Sequence, residues 1–146
     1  MVFFTEIMSN KFIVVPVLLW FFIQCFKVIS DLIKTKKFNF KRVLGAGGMP
    51  SSHSAVVCSL ATLVGIELGF SSPEFGISLI LALVVMYDAT GVRRAAGKQA
   101  KLLNKIVETP GLSALQVQEK LVEVLGHSPL EVFVGALLGI TVALII

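Results

Sequence analysis

The chain has 146 residues, of which 55% are hydrophobic and only 15% are charged. Soluble domains of this length rarely contain so few charged residues, so the composition disfavours a soluble enzyme or a nucleic-acid-binding protein and favours one membrane-embedded domain. Cys25 and Cys58 both lie within apolar runs, and we interpret them as buried apolar side chains rather than a disulfide or a metal site.

Four apolar runs follow one another along the chain, each close to the length of a membrane-spanning helix. An α-helix rises about 1.5 Å per residue, so roughly 20 residues cross a hydrocarbon core of about 30 Å. The predicted spans cover residues 12–29, 54–70, 75–91 and 130–146. A cleaved signal peptide is the alternative for the first run. That run is long, lacks a small-residue cleavage pattern and precedes several lysines, which favours a retained helix.

The basic residues define the predicted topology. All lysines and arginines except Lys11 fall within residues 27–42 or 93–120. With four spans, both stretches lie on one side of the membrane, and the positive-inside rule places them in the cytoplasm with both termini outside. We therefore predict an all-α, four-span membrane protein, with a cytoplasmic two-helix insertion over residues 92–128.

The first candidate site is the glycine-rich stretch at residues 45–55. Pro50 fixes its own φ and Ser51 is a natural N-cap, so the sequence predicts the start of a helix there. The N–H groups at a helix start bind anions, and glycines such as Gly48 let the backbone approach a ligand. His53 would stand in the first turn beside that anion. A capped helix with an incidental histidine explains the stretch equally well.

A second candidate site lies where the last span begins. His127 and Glu131 are four residues apart, so on a helix the carboxylate could reach the imidazole. Such a pair keeps one ring nitrogen protonated and leaves the other as a nucleophile or base. Gly135 and Gly139 continue the same stripe and permit close helix packing, through which a homo-oligomer could form. The alternative is an interfacial His–Glu pair above a packing face.

Arg93 and Arg94 follow the third span at the same predicted membrane edge. Arginine suits bidentate phosphate binding, although anchoring by the positive-inside rule also explains both residues, and Asp88 could neutralise one of them. Lys36 and Arg42 add positive charge from the first basic stretch. Phosphoryl transfer through a phosphohistidine needs this combination: cations neutralise the phosphate, one histidine attacks and another protonates the leaving oxygen.

These motifs resemble those of the phosphatidic acid phosphatase type 2 and vanadium haloperoxidase superfamily, and the chain looks most like its divergent small bacterial branch. The family's Pro-Ser-Gly-His motif corresponds to residues 50–53, with Ser52 in place of glycine. Its last motif corresponds to His127, Glu131 and residues 132–139, with glutamate in place of aspartate. The family's arginine stands close before the nucleophile, whereas here the predicted insertion intervenes.

The resemblance implies a phosphatase of a bacterial plasma membrane that needs no metal or cofactor and acts on lipid phosphates or diphosphates in the bilayer. It implies that His127 is the nucleophile, that Glu131 orients it and that His53 is the general acid for the leaving group. The candidate phosphate contacts, taken from these motifs and from the helix start, are Gly48, Ser51, Ser52, Arg93, Arg94, Lys36 and Arg42.

Two other functions fit the same residues. A non-catalytic membrane protein could bind anionic headgroups or phosphate in the same pocket. In an assembly subunit, the face formed by Gly135 and Gly139 would matter and the histidines would not.

Overall fold

The computed structural model describes residues 2–36, 48–108, 121 and 126–146, and the regular elements in this part of the chain are α-helices. The predicted all-α fold is therefore confirmed. The helices lie where the apolar runs were predicted, with two further helices outside those runs. They are α1 (Val2–Ser9), α2 (Lys11–Thr35), α3 (Ser52–Leu68), α4 (Pro73–Thr90), α5 (Val92–Val107) and α6 (Pro129–Ile145).

Within the described residues, two helical stretches are long and apolar enough to cross a membrane. They are Lys11–Thr35, which is α2, and Pro73–Val107, which joins α4 to α5. The helices α3 and α6 are apolar but have 17 residues each. Of the predicted insertion, α5 is a helix, and the second predicted helix lies outside the described residues, as does Arg42.

The helix α2 corrects one expectation, because the first span was predicted to end at residue 29, whereas the helix continues through residues 30–35. Apolar side chains continue at helical spacing through this stretch, and no glycine or proline interrupts it. The helix ends where Lys36 adopts a left-handed conformation with a φ of 53°, and its N–H donates to the carbonyl oxygen of Leu32 at 2.9 Å. Half of the basic stretch therefore belongs to the bundle.

The central helix is α3, which packs against α2, α4 and α6. Its contact with α6 is unusually close, because Gly135 and Gly139 face the backbone carbonyl groups of Ser51 and Ala55. A β-carbon at either glycine would overlap those oxygens. The close packing predicted for the two glycines thus takes place inside the chain, between α6 and α3.

Replacing Gly139 by alanine is expected to destabilise the bundle by about 1–3 kcal/mol, since the added methyl group must push α6 away from α3. Gly76→Ala in α4 is the matched control, because nothing lies within 4 Å of the β-carbon position there. Thermal unfolding in detergent would measure both. Equal stability of the two variants would contradict the packing described.

The outer surface of the bundle is largely apolar. Large side chains point away from the core on three helices, for example Phe22 of α2 (66% exposed), Ile80 of α4 (60%) and Phe133 of α6 (60%). A water-soluble protein rarely exposes so much contiguous apolar surface, whereas lipid chains would cover it in a bilayer.

Candidate active site

Both histidines lie at one end of the bundle, where α3 and α6 begin and α4 ends. His53 is in the first turn of α3, behind the N-cap Ser51, whose Oγ accepts from the backbone N–H of Ser54 at 3.3 Å. His127 directly precedes the N-cap of α6, and its N–H donates to the carbonyl oxygen of Ala89 in α4 at 3.0 Å. Three helix ends therefore position the two rings.

The start of α6 is fixed by a capping box. The backbone N–H of Ser128 donates to Oε2 of Glu131 at 2.8 Å, and the N–H of Glu131 donates to Oγ of Ser128 at 3.3 Å. His127 therefore lies outside the helix, so the expected pairing of His127 and Glu131 along one helical face is wrong. Pro129 at the first helical position is the physical reason. The Glu131 carboxylate instead stabilises the turn that carries His127, by accepting the hydrogen bond from the Ser128 N–H.

The two rings meet at a pocket of about 240 Å³. Their centroids are 6.1 Å apart and the rings are inclined by 77°. The lining residues come from α3, α4, α5 and the turn before α6: His53, Val84, Val85, Asp88, Ala89, Arg93 and His127. The pocket thus combines two imidazoles, one cation and one carboxylate with apolar walls.

Arg93, rather than Arg94, supplies the cation. Its Nε donates to Oδ2 of Asp88 at 2.5 Å, which confirms that Asp88 neutralises one of the two arginines. A guanidinium has several N–H donors, so one bond to a carboxylate leaves donor capacity for an anion. The backbone of Arg94 packs against Gly126, and Arg94 does not line the pocket.

His127 is suited to act as a nucleophile. Its side chain is buried, with 2% of its surface exposed, and its Nε2 has no hydrogen-bond partner in the described part of the chain. Burial lowers the pKa of His127 below its usual value, and the charge of Lys27 lowers it further, against an opposing effect of Glu131. The ring is therefore neutral at neutral pH, the state in which a ring nitrogen can attack.

The other predicted phosphate contacts do not line this pocket. The Ser51 hydroxyl caps α3, the Ser51 N–H donates to the carbonyl oxygen of Glu131 at 3.0 Å, and Ser52 is buried in the first turn. Lys36 is exposed beyond the end of α2. Gly48 lines a neighbouring cavity of about 290 Å³ together with Lys27, Ser30, Asp31, Lys34, Met49 and Glu131.

Lys27 is the site residue that the sequence analysis missed. It is only 4% exposed, lies in α2 and is within electrostatic reach of both histidine rings. A buried charge is costly, and an ionisable residue in an apolar helix usually has a functional reason. A lysine within an otherwise apolar helical pattern, followed seven residues later by Lys34 on the same helical face, was the signal available in the sequence.

An apolar groove of about 250 Å³ adjoins the pocket. Its walls come from α2, α3 and α4, and His53 and Val85 line both the groove and the pocket. Among the described residues, His53 is the one ionisable side chain that lines the groove, and the other lining residues are Pro16, Val17, Trp20, Val56, Val57 and Val85. A polar, histidine-containing pocket therefore continues into an apolar groove.

Together, these features define an all-helical membrane protein with a paired-histidine pocket at one end of its bundle. The chain belongs to the divergent PAP2 family, whose model matches residues 8–142. It is 43% identical to YuiD, an uncharacterized membrane protein of Bacillus subtilis (strain 168), in an alignment that covers 86% of each chain. No solved structure matches it.

Proposed function

We propose that this protein is an integral membrane phosphatase that hydrolyses a lipid phosphate or diphosphate through a phosphohistidine intermediate at His127. The observation that carries the proposal is the position of His53, which lines two adjoining spaces. One is the polar pocket that His127 and Arg93 also line, and the other is the apolar groove. A substrate with a phosphate and a hydrocarbon chain fits both halves. Membership of a divergent branch of a phosphatase superfamily supports the same chemistry.

The proposed reaction has two steps. Nε2 of His127 attacks the phosphorus, the bond between phosphorus and the leaving oxygen breaks, and His53 donates a proton to that oxygen. Water then attacks the phosphorus of the phosphohistidine and His53 takes a proton from the water. The bond between phosphorus and Nε2 of His127 breaks, and inorganic phosphate leaves. Arg93 neutralises the phosphate at the pocket, and Lys27 adds a positive charge from α2. Glu131 is a positioning residue that holds the turn carrying His127.

We further propose that α2, α3, α4 and α6 all span the membrane, with both termini outside and the pocket at the cytoplasmic surface. The charge pattern supports this orientation, because Lys27 and Lys34 of α2 and Arg93 of α5 line cavities at the end of the bundle that carries the histidines. The lipid substrate would then enter from the cytoplasmic leaflet.

The test is phosphate release by the purified protein in detergent with a chelator present. Phosphatidic acid and a prenyl diphosphate are expected to be hydrolysed, and glycerol 3-phosphate, which lacks a hydrocarbon chain, much more slowly. Filling the groove with Val57→Trp is expected to raise KM for the lipid roughly tenfold, an effect typical of changing the fit of an apolar pocket. Leu83→Trp is the control, because Leu83 is exposed on α4 and lines neither the groove nor the pocket. An unchanged KM in Val57→Trp would contradict a role for the groove.

A second candidate is binding of anionic headgroups or phosphate without turnover. One observation favours it: Arg93 is already paired with Asp88, so an anion must share that arginine with a carboxylate. Tight binding of phosphatidic acid with no phosphate released from any lipid phosphate would support this candidate over catalysis.

A further inference from the structure

The helix α5 has three distinct stripes along its length. At about 3.6 residues per turn, side chains spaced by three, four and seven residues share a face. One stripe faces the rest of the chain: Gly97, Ala100 and Asn104 are buried, and Arg93 lines the pocket. Asn104 also exchanges two hydrogen bonds with the backbone of Leu121, at 2.9 and 3.0 Å.

The second stripe is apolar and exposed. Its large side chains are Val92 (66% exposed), Leu102 (63%), Leu103 (50%) and Ile106 (49%). A helix with a single buried face would place polar residues at these positions. This apolar stripe is therefore expected to be covered by lipid or by protein.

The third stripe carries only positive charge. It consists of Arg94, Lys98, Lys101 and Lys105, all of them exposed. Helices that combine a strongly polar, basic face with an apolar face and low overall hydrophobicity bind in the plane of a membrane interface. Lysine and arginine side chains on such a helix reach the headgroups of anionic lipids.

We propose that α5 is an interfacial helix, which lies along the cytoplasmic surface of the bilayer and binds anionic lipid headgroups. Its apolar stripe enters the boundary of the acyl chains, and its cationic stripe contacts the headgroups. The helix starts directly after α4, whose large exposed side chains are apolar, so the lipid that surrounds α4 also lies within reach of α5. Gly91 separates the two helices with a non-helical backbone (φ −96°, ψ −95°), which lets the chain change direction at the membrane edge.

This docking has a consequence for the pocket. Arg93 belongs to the stripe that faces the bundle. Binding of α5 to the membrane would therefore hold the Arg93 guanidinium beside Asp88, with which it forms a salt bridge. Membrane docking of α5 does not depend on catalysis at His127, and it can be tested in a protein that releases no phosphate.

The experiment uses the full chain in lipid vesicles and a fluorophore attached to a single cysteine. Cys25→Ser and Cys58→Ser remove the native thiols, and the label is placed at Leu103→Cys in the apolar stripe or at Lys101→Cys in the cationic stripe. Quenching by spin-labelled lipids is expected to be about threefold stronger at position 103 than at position 101. Quenching by iodide in the water phase is expected to show the opposite order.

The quenching pattern shows whether lipid, water or protein covers the apolar stripe. Strong iodide quenching at both positions would overturn the proposal, because it would show that both faces of α5 are exposed to water. Protection of position 103 from both quenchers would also overturn it, because protein would cover the stripe. Vesicles of phosphatidylcholine alone should give weaker lipid quenching at position 103 than vesicles with an equal share of phosphatidylglycerol. No difference between them would refute the binding of anionic headgroups.

Discussion

His127→Ala is expected to lower the rate of phosphate release from a lipid phosphate by about a thousandfold or more, because a reaction through a covalent intermediate loses its nucleophile. The loss should be equally large for substrates with good and poor leaving groups, since neither can form the intermediate. Initial rates of phosphate release in detergent would measure it.

The control for His127→Ala addresses folding, because the ring is buried. His127→Gln fills more of the same space without a nucleophilic nitrogen, and its thermal unfolding in detergent should stay close to that of the wild type. Full activity in either variant would show that the reaction does not pass through His127. Inactivity with retained unfolding temperature would assign the loss to chemistry.

His53→Ala is expected to have an effect that depends on the leaving group. A general acid typically contributes 10²–10⁴-fold, so hydrolysis of a long-chain alkyl phosphate should fall by about that factor. A nitrophenyl phosphate with a hydrocarbon chain of the same length has a leaving group that needs no proton, and its hydrolysis should fall far less. Parallel rate measurements on the two substrates would show the difference.

The matched control for His53→Ala is Cys58→Ala, which shortens a buried side chain of the same helix outside the pocket. It should leave the ratio of the two rates unchanged. Equal losses on both substrates in His53→Ala would contradict the role of general acid and would leave His53 as a binding residue.

Much of this architecture could be predicted because local signals and burial agree. The apolar runs mark the long helices, and Ser51 marks the start of α3, where its hydroxyl caps the helix. His53 and His127 lie at the starts of two apolar runs that are separated by one intervening apolar run, so both runs point in the same direction and the histidines meet at one end of the bundle. The choice of Arg93 over Arg94 could not be predicted, because both arginines follow the third apolar run, and only the packing of α5 against the bundle shows which of them lines the pocket.

Two features were misread for identifiable reasons. The lysines after residue 26 indicated that the first span ends at residue 29, but the apolar residues between them continue the helix to Thr35, and Lys27 is buried in it. The spacing of His127 and Glu131 suggested a pair on one helical face, although Ser128, Pro129 and Glu131 together form a helix-start signal. That signal places His127 before the helix and assigns the carboxylate to the cap.

The measurement that tests the central claim most directly is detection of phosphate bound to His127. The protein would be mixed with a lipid phosphate carrying a labelled phosphoryl group, quenched in alkali, digested and mapped by mass spectrometry. The predicted result is an acid-labile, alkali-stable phosphoryl group on the peptide that contains His127, absent from His127→Gln. Phosphate release in the wild type with no label on His127, or with label on another residue, would contradict the proposed mechanism.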